Sequence, residues 1–184
     1  SKYKDFEQKL FEELKARITK DDSTPPAKNE EYYYYSRTEG DKEHPYYCRR
    51  KGSPESLEEF ILDCKKLAEG HKSFSLAIYN VSPHHDVLAY ATDTDGSEIY
   101  TLYFKNLNTG DLFPETIEKL YYGSSWAMDN KSFYYITQDE NQRPTKMWRH
   151  QLGTPPAMDE LIYEEKDSQY FISCGLSESR EYIF

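Results

Sequence analysis

The chain repeats itself. The segments "VSPHHDVLAYATD" from Val81, "WAMDNKSFYYITQD" from Trp126 and "GLSESREYIF" from Gly175 each run from the end of one strand-like stretch, through a polar turn, into a new aromatic or aliphatic stretch. Their starts lie 45 and 49 residues apart. The correspondence continues downstream, with "EIYTLYFKNLNTGDLFPE" following the first copy and "TKMWRHQLGTPPAMDELIYE" the second. Four strands in about 45 residues is the size of a propeller blade, a unit that covers its apolar faces only by stacking on its neighbours.

Local patterning agrees. Segments rich in Tyr, Phe, Ile and Val are separated by turn chemistry at Asp95-Gly96, Thr109-Gly110 and Gly153 to Pro156, which is the signature of short strands rather than helices. "YYYYSR", "PYYCRR" and "LEEFILD" form a further set of three strands, the last running into a short helical turn around Lys65 to Glu69. The expected fold is mainly β: a partial β-propeller of about three blades with an N-terminal amphipathic helix. One blade is expected from Glu30 to Asp63 and two more from Ser73 to Glu164. The first strands of another end at Phe184, mid-strand, so the chain reads as a fragment. Mean hydropathy is −0.94, yet aromatics are 16% of residues and 18 of them are Tyr, a composition that excludes disorder. Tyr32 to Tyr35 are expected to alternate between the two faces of one strand, each face covered by a neighbouring sheet.

The first 28 residues read as an arm. Phe6, Leu10, Phe11, Leu14 and Ile18 recur at helical spacing, and Asp5 with Gln8 has the form of a capping box. The stretch Asp21 to Pro26 then stops the helix, because paired prolines remove donors and extend the chain. The domain reading is an arm and linker over 1–28 and an incomplete propeller over 29–184.

Charge and motifs narrow the function classes. A net charge of −10 opposes nonspecific attraction to nucleic acid or anionic membranes. The compact basic run Arg49-Arg50-Lys51 stands at a strand end rather than beside a groove of exposed rings. Cys48, Cys64 and Cys174 are odd in number and far apart, and are read as reduced, buried thiols without a metal. No run approaches the roughly 18 apolar residues of a membrane span. Asn80-Val81-Ser82 and Asn130-Lys131-Ser132 have the form of glycosylation acceptors but lack a secretory context. His84-His85 has no third and fourth ligand at a telling spacing and reads as an exposed turn. Thr92 to Glu98 resembles a calcium loop, but Leu102 occupies the place where an acidic ligand is needed. Neither metal nor cofactor is expected. Ser177, in Gly175-Leu176-Ser177-Glu178-Ser179, lacks the second glycine of a nucleophile elbow and falls in an inter-strand turn.

Taken in order, "YYYYSRTEGDKEHPYYCRR", "LAEGHKSFSLAIYNVSP", "DGSEIYTLYFKNLNTG", "YYGSSWAMDNKSFYY" and "MWRHQLGTPPAMDELIYEEKD" resemble the N-terminal propeller of oligopeptidase B, within the prolyl oligopeptidase family. The arm "KLFEELKARI" and its Pro-containing break are similar to that family's approach to its propeller. The resemblance implies a cytoplasmic serine peptidase with a seven-bladed propeller and an α/β-hydrolase domain that the arm completes. It also implies cleavage of short peptides after Lys or Arg by a Ser-His-Asp triad. With no elbow in this chain, the triad falls in the hydrolase part, no catalytic residue is named here, and the fragment alone is expected to be inactive. The substrate-binding residues fall there too. By the same resemblance, Glu98 lies on the propeller face that meets the hydrolase domain, where it would pair with a basic residue. The expected partners are that domain and short basic peptides, with no nucleic acid and no membrane. A chain with uncovered blade sides can also be held by dimerisation. The alternative from another class is a non-catalytic propeller serving as an interaction platform.

Overall fold

A computed structural model describes residues 3–17, 19, 21–40 and 44–184, which fall into two compact units, Ser1–Glu69 and Gly70–Phe184. Ile18, expected on the arm helix, lies outside the described residues.

The first unit opens with α1 (Lys4–Ala16), none of whose residues is buried. Phe6, Leu10, Phe11 and Leu14 are 46% to 66% exposed, so the apolar stripe that the spacing predicts is present and bare. The expected capping box does not form. The N-cap is Tyr3, without a side-chain cap, and Gln8 instead donates to Glu12 at 2.8 Å. Asp5 and Glu7 sit in the first turn and Lys15 in the last, where they complement the helix dipole.

The stretch expected as linker contributes two short strands. β1 (Asp22–Ser23) and β2 (Ala27–Asn29) both lie antiparallel to β3 (Tyr32–Thr38), so they form one strand interrupted by Thr24-Pro25-Pro26. An edge tolerates that interruption because its outer donors need no ladder partner. β3 then pairs with β4 (Tyr46–Lys51), and β4 with β5 (Glu58–Asp63). The helical turn α2 (Cys64–Ala68) follows at once, capped by Asp63, whose carboxylate accepts from Lys66 N–H at 2.9 Å.

The four tyrosines do alternate. Tyr32 and Tyr34 share a face with ring centroids 6.0 Å apart, opposite Lys51 and Arg49 in register. The cover found within this unit is cationic. Arg49 stacks 4.4 Å from the Tyr32 centroid, Arg50 5.3 Å from Tyr35, and Lys28 5.9 Å from Tyr33, each close enough for cation–π attraction. Arg49 is itself paired with Glu59 at 2.7 Å, and Arg37 with Glu58 at 2.9 Å. The Tyr35 hydroxyl donates to Glu58 and accepts from Arg50. Burial pushes the Tyr34 hydroxyl up to about 12 against the lowering pull of Arg49. Every basic residue of the Arg49-Arg50-Lys51 run is thus engaged within the blade, Lys51 by Glu31 at 3.3 Å.

The second unit is a seven-stranded antiparallel meander of β6 (Ser75–Val81), β7 (Val87–Asp93), β8 (Tyr100–Asn106), β9 (Leu112–Trp126), β10 (Ser132–Gln138), β11 (Pro144–Gln151) and β12 (Glu160–Glu164). β7 is buried along its whole length, which explains its near-continuous apolar run with small Ala89 and Ala91 where strands approach. The core centres on Phe104, whose ring meets Trp126 and Phe133 edge-on at 5.8 and 5.4 Å; each such pair adds about 1 kcal/mol to its area burial.

β9 is one strand with two allegiances. Its first half pairs with β8 and its second with β10, and Leu120 faces both Tyr100 and Thr137. The turn of direction passes through Lys119 at φ +63 and Gly123 at φ +100. A Cβ on Gly123 would stand 3.3 Å from Ile136 Cδ1, so the site requires glycine on both backbone and packing grounds. The outer strand of one blade therefore continues as the inner strand of the next, and the fold is a partial β-propeller.

Candidate functional site

Hydrogen bonds between the two blades of the second unit keep the spacing of the sequence repeat. Asn80 Nδ2 donates to the Ser124 hydroxyl at 2.7 Å, 44 residues on, and Trp126 Nε1 returns a bond to the Asn80 carbonyl at 3.0 Å, 46 residues apart. At one end of the strands, Asn130 Oδ1 accepts from His84 N–H at 2.9 Å and its Nδ2 donates to Asp86 at 3.0 Å. At the other, Gln142 donates to the Ser97 carbonyl at 3.1 Å and Gln138 to the Glu98 carbonyl at 3.4 Å. Equivalent loops of successive blades are stitched to each other at both ends.

Glu98 sits in the β7–β8 loop of that second end. Its N–H donates to Asp93 Oδ2 at 2.8 Å, while Asp93 Oδ1 accepts from the N–H groups of Asp95 and Gly96 at 2.9 and 3.0 Å. The loop is wound around one buried carboxylate, in an arrangement that holds the acid form of Asp93 off: burial works to raise its pKa, but the backbone donors outweigh it and the value falls below the usual 3.8. Glu98 takes φ +60, and its side chain is exposed. Beside it a depression of about 840 Å³ is lined by Ile99, Lys119 and Gln138 to Gln142. The Tyr100 and Tyr122 hydroxyls meet nearby at 2.8 Å, and that bond, with burial and the charge of Glu98, lifts Tyr122 to about 12.

The remaining sequence candidates have structural employment. Ser177 occupies the turn of a terminal hairpin closed by Leu176 opposite Ile183. Its N–H donates to the Tyr182 carbonyl at 2.8 Å and its hydroxyl accepts from Tyr182 N–H at 3.1 Å. The His84-His85 pair forms the β6–β7 turn, with His84 exposed and His85 buried at φ +59. Among the described residues no group of three or more His, Cys, Asp or Glu side chains could hold a metal. Both Asn80 and Asn130, the residues of the two glycosylation-like tripeptides, spend their amides on the inter-blade bonds. Cys48 and Cys64 are buried, Cys174 half-buried, and all three are free thiols.

Sequence reasoning missed the stitching residues Gln138, Gln142 and Asn130, although a signal existed: polar residues standing one repeat period from a turn. It also missed a buried cluster at His150. That ring is fully buried, with Nδ1 2.7 Å from Asp159 Oδ1 and Nε2 3.7 Å from Glu115 Oε1.

A blade-to-blade shared strand and loops stitched at one repeat spacing define the class as β-propeller. The family model described as prolyl oligopeptidase, N-terminal beta-propeller domain, matches residues 1–184, and the chain belongs to that family. It is 35% identical over 184 residues to Protease 2 of Moraxella lacunata, covering 96% of this chain and 27% of that protein. Against dipeptidyl aminopeptidase BI of Pseudoxanthomonas mexicana it is 33% identical over 196 residues, covering 98% of this chain and 27% of the relative. Oligopeptidase B from Leishmania major superposes with a TM-score of 0.90 at 27% identity, over 96% of this chain and 25% of that one. The chain therefore spans about a quarter of the length of these relatives. Among the described residues no helix is long and apolar enough to cross a membrane.

Proposed function

We propose that this chain is the propeller portion of an oligopeptidase B-like serine peptidase that cuts short peptides after Lys or Arg. The observation that carries the reading is likeness along nearly the whole chain to oligopeptidase B, with a TM-score of 0.90 over 96% of its length. In this reading the propeller admits peptides and excludes folded proteins when the two domains open. The Ser-His-Asp triad belongs to an α/β-hydrolase domain outside these residues, so this stretch alone is inactive, and the enzyme works in the cytoplasm. Within the arm and linker of residues 1–28, the bare stripe of α1 packs on the hydrolase domain while β1 and β2 edge the first blade, and 29–184 forms the rest of the incomplete propeller. Glu98, exposed on a loop held rigid by Asp93, pairs with a basic residue of the hydrolase domain on closure.

The test is activity of the intact protein on fluorogenic peptides ending in Arg or Lys, with and without a serine-directed inhibitor. Inhibitor-sensitive cleavage after basic residues is expected, and an intact protein without it would be a non-catalytic propeller. Glu98→Ala should change peptide kinetics and domain opening in the intact enzyme; unchanged values for both remove the role given to Glu98.

A further inference from the structure

An aromatic pair recurs one repeat apart at the end of the second unit that carries Glu98. Tyr121-Tyr122 stands at the bend of β9, and Tyr170-Phe171 follows 49 residues on, the same offset that separates Trp126 from Gly175. Each pair flanks the β10–β11 loop. On one side Leu120 pairs with Thr137, and Lys119 shares the depression with residues 138 to 142. On the other, the passage out of β12 is tied to the start of β11 by Glu165 N–H on the Thr145 carbonyl at 2.8 Å and Ile172 N–H on the Pro144 carbonyl at 3.3 Å.

These rings are held in place and left open. Tyr122 is 47% exposed, Tyr170 61% and Phe171 67%. The Tyr122 hydroxyl meets that of Tyr100 at 2.8 Å, and its ring stands edge-on to Tyr121 at 5.2 Å. Arg143 Nη2 donates to the carbonyls of Asp167 and Tyr170 at 3.3 and 3.2 Å, and its guanidinium lies 5.7 Å from the Phe171 centroid. Asp139 steadies that arginine at 3.6 Å. Tyr122 keeps its exposure with a four-stranded blade on each side, so an open ring belongs to this position of the repeat. Rings fixed by their own frame can be covered by a partner with little further ordering cost.

The charge around them selects the partner. The exposed carboxylates of Asp95, Glu98, Glu140 and Asp167 outnumber the exposed ammonium groups of Lys119 and Lys166. A face that combines open rings with surplus negative charge complements Lys and Arg side chains, which gain both cation–π and longer-range attraction there. The contact of Arg143 with Phe171 is one such pairing already in place. We propose that this end of the blades is a docking surface for a Lys- or Arg-bearing stretch of the peptide substrate outside its scissile bond, with Tyr122, Tyr170 and Phe171 receiving the basic side chains. The substrate class rests on the peptidase reading above.

Three fluorogenic substrates of the intact protein test this: a short one with a single Arg at the cleaved bond, a longer one with two further Lys or Arg residues, and the longer one with those two replaced by Gln. The double variant Tyr170→Ala/Phe171→Ala should raise KM for the long basic substrate at least about fivefold relative to both controls, the size of two exposed cation–π contacts. Phe171→Leu keeps apolar bulk while removing the π face, and should raise it about twofold on the same comparison. An equal change on all three substrates marks a contact with the hydrolase domain instead and overturns the proposal, as does no change on any. If the intact protein cleaves none of them, the peptidase reading fails by itself. Fluorescence anisotropy of the labelled long basic peptide then decides the docking surface: weaker binding by the double variant sustains it, and equal binding overturns it.

Discussion

The indole N–H of Trp126 donates to the carbonyl of Asn80 at 3.0 Å, while the amide of Asn80 donates to the carbonyl and hydroxyl of Ser124 at 3.2 and 2.7 Å. Two inner strands of successive blades are thereby tied by side chains instead of by a backbone ladder. Asn80→Ala removes the half that Asn80 donates and leaves the indole bond, since that one ends on the main chain. A loss of about 1–2 kcal/mol is expected, the range for partly buried hydrogen bonds. It should appear as a lower urea midpoint at unchanged slope.

Gly123→Ala tests the bend of β9. The substitution places a Cβ 3.3 Å from Ile136 Cδ1 on a backbone at φ +100, so strain and crowding act together. Destabilisation of about 1–3 kcal/mol is expected from the backbone conformation. Thermal unfolding of the variant beside Gly110→Ala, at φ +84 with open space around its Cβ, separates the packing contribution from the backbone one.

Asp93 makes stability acid-sensitive. Its folded pKa is held below the ordinary 3.8 because backbone donors outweigh the effect of burial. A depressed carboxylate contributes stability that is fully present above its unfolded value and lost as pH falls through the folded one. Asp93→Asn should therefore be less stable than the parent at neutral pH, and the gap should close as pH drops from about 5 towards about 2. Unfolding midpoints across that range give the measurement, and a gap that does not narrow contradicts the assignment.

The three thiols should be slow to react. Burial pushes Cys48 and Cys174 up to about 11 and Cys64 to about 12, and thiolate is the reactive form. Alkylation of the folded protein at neutral pH, counted by mass spectrometry, should mark none of them rapidly. Unfolding should release all three, with half-buried Cys174 modified first among those that react without it.

Much of this fold is legible in the chain because a propeller repeats its own instructions. The match of Val81 onward to Trp126 onward carries both the strand order and the positions of the turns, since every blade needs the same alternation and the same breaks. What stays hidden has identifiable reasons. β1 and β2 flank Pro25-Pro26, residues that argue against a strand unless it lies on an edge. Asp5 has the right partner for a capping box, yet the helix begins at Lys4, ahead of it, so spacing alone misplaces the cap. β9 looks broken at Gly123, whereas the glycine bends the strand without ending it. Of the candidate site, the position of Glu98 after a Gly turn is readable, but the bonds that tie its loop to the next blade come from Gln138 and Gln142, forty or more residues away. Glu115, His150 and Asp159 follow no ligand spacing, and acidic residues in a chain of net charge −10 are read as surface unless the fold shows otherwise.

The double allegiance of β9 bears on anyone who would add or remove blades. Leu120 is paired on both sides, to Tyr100 and to Thr137, so the natural joint for splicing units is the bend between Lys119 and Gly123, not the surface loops where insertions are usually placed. A chimera cut at the 106–111 turn would orphan the outer strand of one blade and import a mismatched inner strand into the next. A cut at the bend exchanges whole modules, and brings with each one the asparagine and glutamine amides that its neighbour will need.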